Sequence, residues 1–375
     1  MEASLIKMHF SQLVNAWKLS KYNSYSNSKK KEYQTQLMAL YDRLKELDFD
    51  SMSDSLRVEM KEVIDFFLLS LEFLNHSTIN NVPYELVECL RSAMKEWIAN
   101  ETNYIIVTSY NEYSFDPCLV LLDNYYEIIK KRFGIEFKNK LVQINLPKYL
   151  ENDYLCNTVL YHELGHFIDS VLNISDVIKR DIMNKRNSGY VFNGCFIKYF
   201  PYIYDVPNLK YEFMLTRHIM EYFADLFASQ YIKNACCWYL SYISSSNMTK
   251  HSNTHPSTNN RIDLVNDFIS GNSNDVINMF ALAIKRKTGE DLKQRFKSIQ
   301  SDDILNLLPC NIDDSSQLHS LFSEGWDIWI HKSDEFQKRN NMTSKLQPST
   351  IYRIINNLIE KSINNYIVST KWRRS

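Results

Sequence analysis

Glycine is scarce in this chain, with 7 residues among 375, and proline numbers only 8. These residues make the tight turns of sandwiches, barrels and Gly-rich nucleotide-binding folds. Their shortage disfavours those architectures and favours long helices. Neither sign of charge is in excess: 43 Lys and Arg face 44 Asp and Glu, for a formal net charge of −1. That balance gives no electrostatic case for nucleic acid or an anionic membrane as partner. The run Lys29-Lys30-Lys31 stands in a Ser/Asn-rich stretch and reads as a solvated loop or helix start. Long apolar runs are missing too. The longest, Val63 to Leu74, is interrupted by Asp65 and Glu72 and cannot span a bilayer. The opening MEASLIKMHFSQLVNAWK has no unbroken apolar core with a small-residue cleavage site, and reads as an amphipathic helix. The 7 cysteines form no C-x-x-C pair; only Cys236 and Cys237 are close. Such a set suits thiols in a reducing compartment. The expectation is a cytoplasmic protein without a membrane span.

What remains is an ordinary globular composition, 45% hydrophobic and 23% charged. Apolar spacings of three and four predict helices from Ala3 to Leu74, broken by a loop near Lys21 to Ser28. Pro83 opens a helix to about Ala99, in the first turn where its missing N–H costs nothing. The pattern changes at Asn103. Tyr104 to Thr108 is β-branched and aromatic and predicts a strand, and Leu141 to Leu146, ended by Pro147, predicts a second. A helix from about Cys118 to Phe133, stopped by Gly134, lies between them. Further helices are expected through Tyr161 to Leu172, Tyr211 to Ile232 and Asp263 to Ile269. Polar linkers fall near Asn272 to Asn274 and near Asn340 to Pro348, in a tail that is otherwise helical. The expected fold class is α+β, mainly α. It comprises a helical region over 1–100, a core with a small sheet over 101–270 and a helical region over 271–375.

The chemistry concentrates in that core. Tyr161-His162-Glu163-Leu164-Gly165-His166 contains H-E-x-x-H, which a chain of this composition produces by chance in roughly one case in a hundred. On a helix, residues four apart share a face, so His162 and His166 can turn two imidazoles to one ion. Zinc suits such ligands, and in catalytic sites takes three from the protein and keeps one position open. Glu163 is rotated from both histidines and suits a general base. Downstream, the apolar run His218 to Ala228 carries Glu221 and Asp225 one helical turn apart. Acids among so many residues of buried type demand partners. Glu221 is expected as the third ligand. Asp225 is expected to accept the other ring N–H of a ligand histidine, His162 first. A third element, Thr254-His255-Pro256-Ser257-Thr258-Asn259-Asn260-Arg261, offers His255 as a donor to a developing oxyanion and Arg261 as a partner for the buried acids.

Together HELGH at 162–166, EYFAD at 221–225 and HPSTNNR at 255–261 resemble the gluzincin metallopeptidases. The resemblance is closest to the CaaX-type endopeptidase and heat-shock-protease branch, with H-E-x-G-H, E-x-x-A-D and His-Pro followed by arginine. It covers roughly Leu141 to Ile269 and neither helical flank. It implies a zinc-dependent endopeptidase with one Zn2+ per chain, a protein or peptide substrate and a gluzincin-like core. Much of that branch is embedded in membranes or exported, and this chain lacks the spanning helices. A second resemblance is to small cytosolic HELGH regulatory proteases of mobile elements and phage defence, which cut repressors. A third reading is a non-catalytic interaction protein that keeps a structural zinc. The helical flanks are candidate surfaces for a regulatory partner.

Cys156 and Cys195 give no support to nucleophilic catalysis, since buried cysteine is commonly a small hydrophobe. His218, three residues before Glu221, reads as a packed helix histidine or a donor behind the ligands. His9, His76, His251, His319 and His331 have no ligand spacing. The aromatic segment Tyr190 to Tyr204 reads as core, with an apolar substrate subsite as the alternative.

Overall fold

The computed structural model describes residues 2–373 except 26, 77–83, 100–103, 112–115, 118–121, 151, 207, 245–247, 273 and 341–343. Helices account for most of them, and the chain is a mainly helical α+β protein with one small sheet. Internal packing divides it into two units. The first is Met1–Val87 with Ile98–Glu151, and the second is Glu88–Trp97 with Asn152–Ser375. The helix α4 (Tyr84–Lys95) runs from one segment into the other. The regions read from the sequence cut across these units. The strands pack with the N-terminal helices, and the C-terminal helices pack with those that carry the site.

In the first unit, α1 (Ala3–Ser20), α2 (Ser28–Lys45) and α3 (Asp54–His76) bury one apolar face each, with Leu13, Leu37, Leu40 and Phe67 fully or almost fully covered. This is the spacing of three and four seen in the sequence. The helix α5 (Leu122–Phe133) ends at Gly134 in the left-handed region, φ 68°; the beginning expected for it at Cys118 lies outside the described residues. Strand β1 (Tyr104–Asn111) runs parallel to β3 (Lys140–Pro147), in register from Tyr104 opposite Lys140 to Asn111 opposite Pro147. The two-residue β2 (Asp116–Pro117) adds antiparallel on the other side of β3, so among the described residues β1 is an edge strand. Buried hydroxyls tie helices to sheet. Tyr33 Oη meets Ser70 Oγ at 3.1 Å and Tyr126 Oη at 2.9 Å, and Tyr126 Oη accepts from the Leu141 N–H at 3.1 Å.

The second unit contains α6 (Val159–Leu172), α7 (Ile174–Asn187), α8 (Gly194–Tyr199), α9 (Leu209–Ile232), α10 (Ala235–Ile243), α11 (Thr258–Ser270) and α12 (Asp275–Thr288). It continues through α13 (Asp302–Leu305), α14 (Ser315–His331) and α15 (Ser333–Arg339) to α16 (Pro348–Trp372). Helix α9 is its axis, packed against α6, α7, α10, α11 and α14. Every residue from Glu221 to Ile232 is buried. A helix surrounded on all sides must be apolar on all sides, so the few polar residues of α9 stand out and need partners inside the protein. No described helix is long and apolar enough to cross a membrane.

Candidate metal centre

Helix α6 is held from its N-terminal side. The N–H groups of Tyr154 and Leu155 donate to Asn356 Oδ1 of α16, at 2.7 and 3.2 Å. Trp326 Nε1 of α14 donates to the Leu155 carbonyl at 3.0 Å. These bonds satisfy backbone groups in the turn leading into the helix, which burial would otherwise make costly. Helix α6 then crosses α9 at very close range. A Cβ built on Gly165 would stand 2.8 Å from Ala224 Cα and 3.2 Å from the Ala224 carbonyl oxygen. The glycine of HELGH and the alanine of EYFAD are thus the two small residues that let these backbones meet.

The close approach brings the donors together. The ligating atoms of His162, His166 and Glu221 lie within 4.8 Å of one another, and this group could hold a metal ion. His162 Nε2 is 3.3 Å from Glu221 Oε2, and His166 Nε2 is 3.3 Å from Glu221 Oε1. His162 Nδ1 is turned the other way, donating to Asp225 Oδ1 at 2.9 Å. That bond fixes the ring so that Nε2 faces the cluster. Arg261, from the first turn of α11, grips Asp225 with both Nε (2.7 Å) and Nη2 (2.8 Å). Its Nη1 is 3.3 Å from Glu221 Oε2, and its Nη2 is 3.4 Å from both ring nitrogens of His162. Glu163 is buried on α6 between the two histidines. His255 comes from the loop before α11, with Nε2 3.6 Å from Glu221 Oε1 and a largely exposed ring. All seven residues singled out in the sequence therefore belong to one neighbourhood, built from α6, α9, α11 and one loop.

The electrostatics follow from burial. Burial alone would raise the carboxyl pKa of Glu221, but Arg261, His166 and His162 hold it well below the usual range. Burial likewise opposes ionisation of Asp225, and Arg261 and His162 hold it down. Burial resists charge on Arg261, and the two acids outweigh it and keep the guanidinium protonated. For His162, burial lowers the pKa, but Asp225 and then Glu221 reverse the effect and push it up to about 10. Glu221 and Asp225 share the one Arg261 guanidinium, so a cation at the cluster would meet negative charge that Arg261 alone does not balance.

The donor set suits a metal ion by its arrangement as well. Each imidazole Nε2 stands 3.3 Å from a different oxygen of the Glu221 carboxylate, so the three side chains face one point. Two imidazoles and a carboxylate are also the donors such an ion prefers.

Other residues play different parts. His218, one turn before Glu221, does not join the donors. Its Nδ1 is 2.7 Å from Tyr202 Oη, and its Nε2 is 2.9 Å from the Ser252 carbonyl. Burial pushes its pKa down to about 4. His251 lies against it, with ring centroids 5.4 Å apart, a relation that no spacing in the sequence announced. The aromatic segment is mostly core. Phe192 stacks on Phe196, Phe196 meets Phe200 at a tilt, and Tyr199 and Phe200 meet Tyr222 edge-on. Tyr190, Phe192 and Phe196 also line a groove of about 630 Å3 with Met279 and Leu282 of α12, which none of the donor residues enters. No protein-family model, curated protein or solved structure matches the chain.

Proposed function

We propose that this protein is a zinc-dependent endopeptidase, with His162, His166 and Glu221 as metal ligands and Glu163 as general base. The observation that carries the reading is the convergence of two imidazoles, four residues apart on α6, upon the Glu221 carboxylate of α9 at 3.3 Å each. It is supported by the seating of His162 on Asp225 and by the gluzincin-like motifs the converging residues belong to.

When bound, zinc would supply a Lewis acid that polarises a carbonyl and lowers the pKa of water towards neutrality. The protein's own residues do the rest. Glu163 accepts a proton from the attacking water and passes it to the leaving amine. His255, on the exposed side of the cluster, donates to the oxygen that becomes negative as water adds to the carbonyl. Asp225 keeps His162 in the ligating tautomer, and Arg261 holds Asp225 and Glu221 ionised in a buried setting. The substrate is an extended protein or peptide segment.

Zinc content and hydrolysis of unstructured peptides are measured on the same preparation. About one zinc per chain with peptide cleavage is expected. Full occupancy in a His166→Ala, Glu221→Ala double variant would remove the ligand assignment. Zinc without cleavage in wild type would favour a non-catalytic zinc-holding interaction protein. Comparing new N-termini in cells carrying wild type or Glu163→Gln then identifies the substrates, and repressor cleavage would place the protein with the regulatory HELGH proteases.

A further inference from the structure

His255 sits on a loop, and a loop does not by itself place an imidazole to within a fraction of an ångström. A chain of hydrogen bonds leads from that imidazole back to α9. His255 donates its N–H to Ser252 Oγ at 2.8 Å, and its carbonyl accepts from the Ser252 N–H at 2.9 Å. Its Nδ1 is 2.8 Å from Thr254 Oγ1, whose N–H also reaches Ser252 Oγ, at 3.2 Å. Ser252 is therefore the hub of the turn. The Ser252 carbonyl is in turn engaged by His218 Nε2 at 2.9 Å.

The tautomer of His218 follows from its partners. A carbonyl oxygen only accepts, so Nε2 carries the hydrogen. In the neutral ring Nδ1 must then accept, and the Tyr202 hydroxyl at 2.7 Å donates to it. His218 is fully buried and flanked by the rings of Tyr202 and His251. It has one orientation, set from both ends. His218 and Glu221 are three residues apart on one helix, hence neighbours on one face. A single turn of α9 thus holds Glu221 directly and His255 through Ser252.

We propose that His218 is a positioning residue, a buried pin that fixes the distance between His255 and the Glu221 carboxylate by holding the Ser252 turn. This rests on the reading of His255 as the oxyanion donor, and assigns to His218 no contact with substrate or metal. The pin is separable from ordinary packing because packing needs only the ring's volume, whereas the pin needs the Nε2–H.

The test is a double-mutant cycle with a conservative rescue. His218→Leu keeps apolar bulk and removes the donor. It should lower kcat about 10–100-fold while zinc content stays at the wild-type level. In a His255→Ala background it should cause no further loss, because it acts only through His255. His218→Gln, whose amide can donate towards Ser252 and accept from Tyr202, should recover most of the activity. If His218→Leu does not fold, Tyr202→Phe, which removes the hydroxyl that holds the ring at Nδ1, takes its place with the same expected direction. A readout independent of hydrolysis is the 15N-histidine spectrum. The His255 ring signals should move in His218→Leu and return in His218→Gln. Unmoved His255 signals, or losses that multiply fully with His255→Ala, would overturn the pin. A wild type that cleaves no peptide would instead overturn the endopeptidase reading, with the spectrum still deciding the pin.

Discussion

Ala224 Cα lies 2.8 Å from the point where a side chain on Gly165 would begin. This single approach between α6 and α9 sets the spacing of the donors, since His162 and His166 flank Gly165 and Glu221 is one turn from Ala224. Gly165→Ala should therefore destabilise the protein by about 1–3 kcal/mol through forced separation of the helices. The gain in helix propensity, about 1 kcal/mol, works the other way and offsets part of that cost. Denaturant unfolding and zinc titration together check this. A more stable variant with unchanged zinc affinity would mean that the crossing does not govern the cluster.

Glu163→Gln separates binding from chemistry. The side chain is nearly isosteric and carries no ligand role in our reading, so zinc and fold should be retained. Peptide turnover should drop about 10²–10⁴-fold, the usual contribution of a general base. Turnover near the wild-type level would require another base.

Asp225→Asn removes a charge from the buried group of Glu221, Asp225 and Arg261. Zinc affinity or activity should weaken by about 10–100-fold, as when the orienting partner of a ligand histidine is lost. Stability should fall as well, because the Arg261 guanidinium would keep only Glu221, at 3.3 Å, to balance it. A variant indistinguishable in both metal affinity and unfolding would show that Asp225 neither orients His162 nor compensates Arg261.

Two buried histidines should make the fold acid-labile before its carboxylates titrate. Burial pushes His319 down to about 3 and His218 to about 4. In the unfolded chain both would take up protons near pH 6.5. Below that value the unfolded state binds more protons than the native state, so stability falls as the pH drops. Between pH 7 and 5 the loss is about 2 kcal/mol for each residue. His162, pushed up to about 10 in the metal-free protein, has the opposite sign. Its contribution is complete below the unfolded value and fades as the pH rises towards 10. Unfolding free energies at pH 5, 6 and 7 check the prediction. His319→Phe should lower stability overall, since Tyr161 Oη loses its partner at 2.7 Å, yet flatten the slope. A slope as steep as that of wild type would assign the acid lability elsewhere.

Much of the site was legible because its residues contradict their surroundings. Glu221 and Asp225 are acids in an otherwise apolar helix, and the HELGH spacing needs only helical periodicity to be read. The helices α1, α2 and α3 were legible from spacing alone. The sheet was legible as two strands, but not its parallel pairing, which depends on the connection rather than on either strand. β2 is too short to leave a pattern. Helix α7 starts two residues after α6 ends, and the break between them is made by Asn173 at φ 54° with no glycine or proline to announce it. Helix α10, ACCWYLSYI, is apolar on nearly every side and shows no period. The His218–Ser252–His255 chain was hidden because it joins backbone carbonyls to side chains, and a carbonyl leaves no trace in a sequence.

The bond from Asn356 to the turn before α6 gives the centre a history in time. Ribosomes deliver a chain from its N-terminus, and Asn356 follows Tyr154 by 202 residues. When HELGH and EYFAD have both emerged, the base on which α6 stands has yet to be translated. During that interval the turn at Tyr154 and Leu155 has two amide hydrogens without their native acceptor. The cluster is thus anchored only after α6, α9 and α11 have all been made.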